Sequence, residues 1–189
     1  LLRAVEDVAV AMGPAGVSIG DFDDDALPDV VLAHESGTVL VLAAQAAEGF
    51  SVRDTIATGG QLRRVTTADL NGDGRLDLAV ADNSGDRILV MLGRGDGTFG
   101  TPAVLATGAG PAAITSGDFD GDGETDLAAS VFGPPSEVTV FLGRGDGTFE
   151  TPCSTAAGEA PVEIVARNLD VIDADPPDRK DDLVVVNEG

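Results

Sequence analysis

Four clusters of acidic residues recur along the chain, and in each one oxygen-bearing side chains alternate with other residues. Side-chain oxygens at alternate positions of a tight loop can converge on one point, and a cation of calcium's size takes about six to eight oxygens. The clusters therefore predict cation sites built from carboxylates. They start at residues 21, 69, 118 and 168, so that successive starts lie 48, 49 and 50 residues apart, and they read DFDDDALPDV, DLNGDGRLDL, DFDGDGETDL and NLDVIDADPPDRKDDL.

In the first three clusters, positions 1, 3, 5 and 9 carry oxygen-bearing side chains, and position 7 offers a backbone carbonyl. Without a cation, the carboxylates of one such loop would repel one another strongly. The pattern therefore predicts a calcium ion in each of the three loops. The predicted ligands are Asp21, Asp23, Asp25, Leu27 and Asp29 in the first loop, Asp69, Asn71, Asp73, Arg75 and Asp77 in the second, and Asp118, Asp120, Asp122, Glu124 and Asp126 in the third.

The fourth cluster departs from this spacing, because Asp182 comes fourteen residues after Asn168 instead of eight. Asn168, Asp170 and Asp182 map onto the pattern, and either Asp173 or Asp175 fills the remaining position. Two alternatives stay open for this loop, a stretched fourth calcium site or no site.

The first loop differs from the next two at position 6, where it has Ala26 in place of Gly74 and Gly123. If this position needs a positive φ, an alanine strains the turn, whereas a glycine does not. We therefore expect a less ideal site in the first loop.

An EF-hand loop and an ordinary solvated turn are two other interpretations of the clusters. An EF-hand loop requires a bidentate Glu at position 12, but that position holds Leu32, Val80 and Ala129. Asp, Asn and Gly also make ordinary solvated turns, although turns alone do not require a repeated carboxylate spacing. The calcium interpretation is therefore favoured over both.

Short apolar runs surround each cluster and divide the chain into similar units. A run such as VSIG precedes the cluster, VVLA and VLVLA follow it, and a turn then leads to a fourth run that begins at Phe50, Phe99 or Phe149. Runs of this length bounded by Gly, Pro, Asn and Asp are typical of strands. Four strands every fifty residues or so, without helices, match one blade of a β-propeller. The sequence predicts a single all-β propeller region, 1–189, with repeats of about 1–49, 50–98, 99–148 and a truncated 149–189.

The unit formed by GDFDGDGETDL and LGRGDGTF closely resembles the FG-GAP/VCBS repeat, which occurs in integrin α-subunit propellers and many bacterial surface proteins. The resemblance covers essentially the whole chain and is strongest in the second and third copies. It implies blades of four antiparallel strands and a calcium loop that ends with an Asp directly before a strand. It also implies that partners bind the face opposite to the calcium loops.

The resemblance further implies a ring of about seven blades, whereas only about four are present here. Registered on the repeat, blades fall at about 14–57, 60–107 and 110–157, and residues 1–11 form a lone fourth strand. The last copy has strands near 162–166 and 183–186. We expect an open arc whose ends are covered by a further part of a longer chain or by another subunit.

Two Arg-Gly-Asp triplets, at residues 94–96 and 144–146, lie in the repeated octapeptide LGRGDGTF. Family turns at this place commonly read LGxGDGTF, so Gly-Asp-Gly serves the hairpin and the arginine fills a variable position. The triplets are therefore interpreted as turns, with adhesion as the alternative.

Composition narrows the classes of function. The net charge of −22 disfavours nucleic acids and anionic membranes as partners. No apolar run is long enough to span a bilayer. The chain has one histidine, His34, which we place in the solvated turn HESG, and one cysteine, Cys153. No nucleophile–base pair is recognisable, and a non-enzymatic protein is expected.

The combined expectation is a calcium-stabilised, extracellular, cell-surface or periplasmic propeller that acts as a scaffold for protein–protein interaction. A lectin-like propeller that binds glycans is the alternative, although Trp and Tyr are absent. A third possibility is the non-catalytic propeller region of a larger secreted enzyme.

Overall fold

The computed structural model describes residues 13–46, 49–167 and 180–188 of the chain. These residues form fourteen β-strands and one short 3-10 turn (Asn83–Gly85). The strands are β1 (Pro14–Gly20), β2 (Asp29–His34), β3 (Thr38–Ala44), β4 (Phe50–Ala57), β5 (Leu62–Ala68), β6 (Asp77–Asp82), β7 (Arg87–Met91), β8 (Ala103–Ala106), β9 (Pro111–Gly117), β10 (Asp126–Val131), β11 (Glu137–Phe141), β12 (Cys153–Ala156), β13 (Pro161–Arg167) and β14 (Asp182–Asn187).

Consecutive strands pair antiparallel in four separate sheets, which we call the first to fourth blades. Three blades have four strands each, β1 to β4, β5 to β8 and β9 to β12, and the fourth pairs β13 with β14. The predicted all-β architecture of four-stranded blades is therefore confirmed. The sheets also cover the residues at which the repeat register placed the blades.

The second strands of the second and third blades are buried on both of their faces. Every residue of β6 and of β10 is buried, and these strands read DLAVAD and DLAASV. Side chains of a strand alternate between its two faces, and here each face meets a neighbouring blade. This explains why these runs are continuously apolar and do not alternate with polar residues.

Three clusters of buried side chains hold neighbouring blades together. The first lies between the first and second blades and includes Val31 and Val41 packed with Leu78 and Val80. The second joins the second and third blades, and the third joins the third and fourth. Successive blades therefore stack through aliphatic side chains from facing sheets.

The first strand of each blade is the innermost, and these strands pack side by side. Hydroxyl groups bridge two of the junctions: Ser18 Oγ lies 2.9 Å from Thr67 Oγ1, and Thr66 Oγ1 lies 3.4 Å from Ser116 Oγ. The four described sheets do not close into a ring. The expectation of an open arc is thus confirmed for the described residues.

Two of the positions expected from the sequence are wrong, and a third lies outside the described residues. His34 is not a solvated turn residue: it is the last residue of β2 and is 2% exposed, because the turn itself begins at Glu35. Phe99 and Phe149 do not start strands; they form isolated bridges to Gly93 and Gly143, and β8 and β12 begin four residues later. The lone strand expected at 1–11 lies outside the described residues.

Within the described residues, no helix has the length and apolar character that crossing a membrane requires.

Candidate metal loops

The first three aspartate clusters form equivalent loops, each between the first and second strands of its blade. In every loop the carboxylate at position 1 accepts a hydrogen bond from the backbone N–H at position 6. The distances are 2.8 Å from Ala26 to Asp21, 2.8 Å from Gly74 to Asp69 and 3.1 Å from Gly123 to Asp118. The carboxylate at position 1 therefore holds the backbone of its loop in a tight turn.

The carboxylate at position 5 repeats this behaviour over a shorter span. Asp25, Asp73 and Asp122 each accept a hydrogen bond from the N–H two residues later, at 2.8, 2.9 and 2.8 Å. These side chains are exposed, and they stabilise the second half of the loop.

The aspartate at position 9 is buried in all three loops, and both of its oxygens accept backbone hydrogen bonds. In the second blade, Asp77 Oδ2 accepts from Leu70 at 2.9 Å and Oδ1 accepts from Gly93 at 2.7 Å. Asp29 and Asp126 make the same two bonds. This carboxylate therefore ties the loop to the end of the third strand, a role that sequence spacing alone did not suggest.

Carboxylates from positions 1, 3 and 9 converge in two of the loops. In the first loop, Asp21, Asp23 and Asp29 each offer an oxygen within 4.8 Å of the others, and Asp118, Asp120 and Asp126 do so in the third. The second loop has Asn71 at position 3, whose Oδ1 accepts from the N–H of Asp73 at 3.0 Å. The position 5 side chains are not part of the two acidic clusters.

The electrostatics of the first loop favour a cation. Burial raises the pKa of Asp23 above its ordinary value, and the charges of Asp29, Asp25 and Asp21 raise it further. Asp23 Oδ1 is buried without a hydrogen-bond partner. A buried polar atom without a partner is costly, and a bound cation would supply the missing interaction.

In the other two loops, burial and hydrogen bonding shift the pKa of the carboxylates in opposite directions. Burial raises the pKa of Asp77 and of Asp126, and their two backbone hydrogen bonds only partly offset it. For Asp69, burial also acts to raise the pKa, but four backbone hydrogen bonds outweigh it and hold the pKa below its ordinary value. In the second loop, the carboxylate of Asp69 is thus held charged by the backbone of its own loop.

The first loop adopts positive φ angles without glycine. Ala26 has φ of 66° and Asp24 has φ of 59°, where the second loop has Gly74 at 83° and Gly72 at 71°. A side chain in this left-handed region is strained, least so for Asp and Asn. The expected strain at Ala26 is therefore confirmed.

The fourth cluster is only partly described. Asn168, Asp170, Asp173 and Asp175 lie outside the described residues, and Asp182 is exposed at the start of β14. Its neighbour Asp181 meets the third loop instead, since its N–H donates to the carbonyl of Asp118 at 2.7 Å and its Oδ2 accepts from the N–H of Asp118 at 3.2 Å.

The two Arg-Gly-Asp triplets lie in hairpins that pack against the loop of the preceding blade. The N–H of Gly97 donates to the carbonyl of Phe22 at 2.8 Å, and the N–H of Gly147 donates to that of Leu70 at 3.0 Å. The aspartate loops and these hairpins therefore lie on the same face of the stacked blades. The carboxylate of Asp96 is bound by its own turn, with Oδ1 accepting from Thr98 Oγ1 at 2.6 Å and from its N–H at 3.0 Å.

The opposite face carries the turns after each second strand together with the connections between blades. The N–H of Gly59 donates to Gly37, and that of Thr107 donates to Asp86. Arg63 pairs with Glu35 across the first junction at 2.9 Å. These turns and connections therefore lie on the face opposite to the metal loops.

Stacked four-stranded blades, with an aspartate loop after the innermost strand of each complete blade, define a β-propeller built from repeats. The model of the FG-GAP-like repeat matches residues 21–80 and 69–129, which together cover more than half of the chain. The chain therefore belongs to the FG-GAP-like repeat family. No curated protein sequence matches it.

A solved structure with the same fold is a lectin from Agrocybe aegerita, described as recognising non-reducing terminal N-acetylglucosamine. It superposes with a TM-score of 0.61 at 19% sequence identity, over 89% of this chain and 46% of the lectin chain. At this identity the likeness establishes the fold alone. The present chain corresponds to about half the length of that structure.

Proposed function

We propose that this chain is a calcium-stabilised β-propeller region that acts as an extracellular, cell-surface or periplasmic scaffold for protein–protein interaction, without catalytic activity. The observation that carries the proposal is the convergence of Asp21, Asp23 and Asp29 around the unpartnered oxygen Asp23 Oδ1. Loop sites of extracellular modules bind calcium with dissociation constants of about 10⁻⁴–10⁻³ M, which suits the calcium concentration outside cells.

The donor set fits a hard divalent cation. Asp21, Asp23 and Asp29 would hold the ion in the first loop, and Asp118, Asp120 and Asp126 would hold it in the third. A bound calcium ion supplies positive charge that offsets carboxylate repulsion and cross-links the loop to the start of the second strand. The position 9 carboxylates keep their backbone hydrogen bonds because each oxygen can accept more than one interaction.

Calcium titration of the chelator-treated protein, followed by calorimetry, tests this proposal. We expect several calcium ions per chain, with one site lost in Asp23→Ala and one in Asp120→Ala. Asp96→Ala is the matched control, because the exposed carboxylate of Asp96 accepts its hydrogen bonds from Thr98 of its own turn, and the variant should retain every site. Absence of heat from the parent protein, or equal loss in the control, would contradict the proposal.

The proposed lack of catalysis rests on the surroundings of the residues that could do chemistry. His34 is buried within the first blade. The position 9 carboxylates already accept two backbone hydrogen bonds each. The carboxylates at positions 1 and 5 fold their own turns, so the arrangement favours binding an ion over activating a substrate. Assay against a panel of ester, phosphate and glycoside substrates checks this.

Carbohydrate binding is the second candidate, and one pocket favours it. On the face opposite to the metal loops, a pocket of about 410 Å³ holds Phe132, which is 57% exposed. An exposed aromatic ring beside amide and guanidinium groups is suited to a sugar ring. A glycan array with the parent and Phe132→Ala tests this candidate, and equal signals would exclude the pocket. Its lining residues are Arg63, Asn83, Ala112, Phe132, Pro161 and Val162.

A further inference from the structure

The hairpin after the third strand of the second blade bonds two metal loops at once. We call residues 93–99 the first hairpin. At its start, the N–H of Gly93 donates to Oδ1 of Asp77 at 2.7 Å, and Asp77 is position 9 of the second loop. At its far side, the N–H of Gly97 donates to the carbonyl of Phe22 at 2.8 Å, and Phe22 is position 2 of the first loop. The first hairpin therefore joins the second loop to the first.

The position 2 residue carries this contact into its own loop. The N–H of Phe22 donates to Oδ2 of Asp29 at 3.0 Å, while its carbonyl accepts from the first hairpin. Asp29 is one of the three carboxylates that converge in the first loop, together with Asp21 and Asp23. The connection therefore begins at one candidate ligand, Asp29, and ends at another, Asp77.

The second hairpin, residues 143–149, repeats the connection one blade further on. The N–H of Gly143 donates to Oδ1 of Asp126 at 2.7 Å, and the N–H of Gly147 donates to the carbonyl of Leu70 at 3.0 Å. The N–H of Leu70 in turn donates to Oδ2 of Asp77 at 2.9 Å. The two hairpins and these hydrogen bonds thus link the position 9 carboxylates of all three loops in one series.

The glycine of the first Arg-Gly-Asp triplet fills the gap between two loops. Gly95 has φ of 71°. A Cβ at this position would lie 2.7 Å from Nε of Arg75 in the second loop and 2.9 Å from Oδ2 of Asp24 in the first. In the second triplet, a Cβ at Gly145 would meet the carboxylate of Glu124 in the third loop. The triplets are therefore packed against the loops, and a larger residue would push hairpin and loop apart.

We propose that the two hairpins couple the metal loops, so that a cation bound in one loop raises the affinity of the neighbouring loops. This inference rests on the proposed calcium binding. The carboxylates of an empty loop repel one another, and a cation draws them together, including the position 9 carboxylate that fixes the hairpin. The hairpin then holds position 2 of the preceding loop in place. Coupling of this kind is reciprocal, because each site changes the affinity of the other by the same factor.

Charge alone predicts the opposite sign. The chain carries a net charge of −22, and each bound cation makes the protein less attractive to the next one. Sites that interact only through their charges therefore bind successive ions more weakly. An affinity that rises from one ion to the next has to be carried by contacts between the loops, and the hairpins supply those contacts.

Calorimetric titration of the chelator-treated full chain with calcium tests this proposal, at high ionic strength so that long-range charge effects are screened. The parent should bind several ions with a Hill exponent above 1. Gly95→Ala combined with Gly145→Ala should bind the same number of ions with an exponent of about 1, because the added methyl groups separate hairpins from loops. Asp23→Ala should remove one site and weaken the remaining sites by about fivefold or more.

Gly108→Ala is the matched control. Gly108 also has a positive φ, 80°, but a Cβ there would meet nothing within 4 Å, so the variant adds backbone strain without touching a loop. It should keep the exponent of the parent, and circular dichroism should show that all variants keep their strands. A parent that binds several ions with an exponent of 1 or less would overturn this inference alone. Absence of calcium uptake would overturn it together with the proposed function. An equal fall of the exponent in Gly108→Ala would also overturn it, because strain would then be the cause.

Discussion

The buried aspartate at position 9 has two roles that the sequence does not separate. Its spacing marks it as a candidate ligand, whereas the structure shows that it also joins residues from both sides of the second strand. Asp77 bonds Leu70 in the loop and Gly93 after the third strand. Since the side chain is 0% exposed, these bonds are made in a water-free environment and stabilise the blade with or without a cation.

Replacing Asp77 with Asn tests the structural role, because Asn keeps the shape of the side chain but has only one acceptor oxygen. The new side chain has one acceptor oxygen, so its NH₂ group must face one of the two backbone N–H donors. A buried donor without an acceptor costs about 1–3 kcal/mol. We expect the free energy of unfolding, measured by urea denaturation in chelator, to fall by about this amount.

Asp96→Asn is the matched control for this change. Both hydrogen bonds to Asp96 use Oδ1, and the Asn side chain keeps that acceptor. We expect almost no loss of stability. If the two variants lost the same amount, the position 9 bonds would not be the cause of the Asp77 effect.

The contacts that the sequence did not predict join residues far apart in the chain. The spacing of the aspartates predicted the loops because that information is local. The bond from Gly93 to Asp77 joins residues 16 apart, and the bond between Asp118 and Asp181 joins residues 63 apart. Such pairings depend on strand register and blade stacking. The burial of His34 was missed because HESG has the composition of a turn although its first residue ends a strand.

At the scale of the element, the three metal loops share one backbone course but differ in how well their residues suit it. The second loop has Gly72 and Gly74 at its positive φ angles, whereas the first loop has Asp24 and Ala26. The repeat architecture imposes the course of the loop, and the sequence of the first loop bears the conformational cost. This difference is local, so substitution can measure it directly.

Exchanging the position 6 residue between loops should change stability in opposite directions. Ala26→Gly removes the left-handed strain and should raise the free energy of unfolding by up to about 1 kcal/mol, because the gain is partly offset by the greater freedom of glycine in the unfolded chain. Gly74→Ala should lower it by about 1–2 kcal/mol. A Cβ at Gly74 would meet nothing within 4 Å, so this variant reports conformation alone.

Both variants can be compared by thermal and urea denaturation in chelator and in calcium. The proposal of a calcium site adds that Ala26→Gly should also tighten the weakest calcium-binding step. A loss of stability in Ala26→Gly would show that the observed φ of 66° is not the source of strain.

At the scale of the whole molecule, the acidic loops lie on one face of a chain with a net charge of −22. Repulsion among like charges destabilises a compact state, and dissolved salt screens it. Screening acts on every exposed carboxylate, whereas a specific ion acts only in the loops where carboxylates converge. The two effects therefore differ in the salt concentration that they need.

We expect sodium chloride to raise the melting temperature of the chelator-treated protein gradually, through screening. Calcium chloride at the same ionic strength should raise it further, because binding to the folded state adds to screening. Magnesium chloride is the matched divalent control and should fall between them, since magnesium dehydrates reluctantly and demands a stricter geometry. Equal melting temperatures in all three salts would show that the loops act only as a diffuse acidic surface.

The course of the chain through the blades has a mechanical consequence. In each complete blade the chain runs from the innermost strand outwards and then crosses to the innermost strand of the next blade. Tension applied to the two ends therefore pulls on neighbouring blades in series, and each blade opens as a separate event. Unravelling residues 14–57 would lengthen the chain by about 150 Å when fully extended, which gives single-molecule pulling a step size that counts blades.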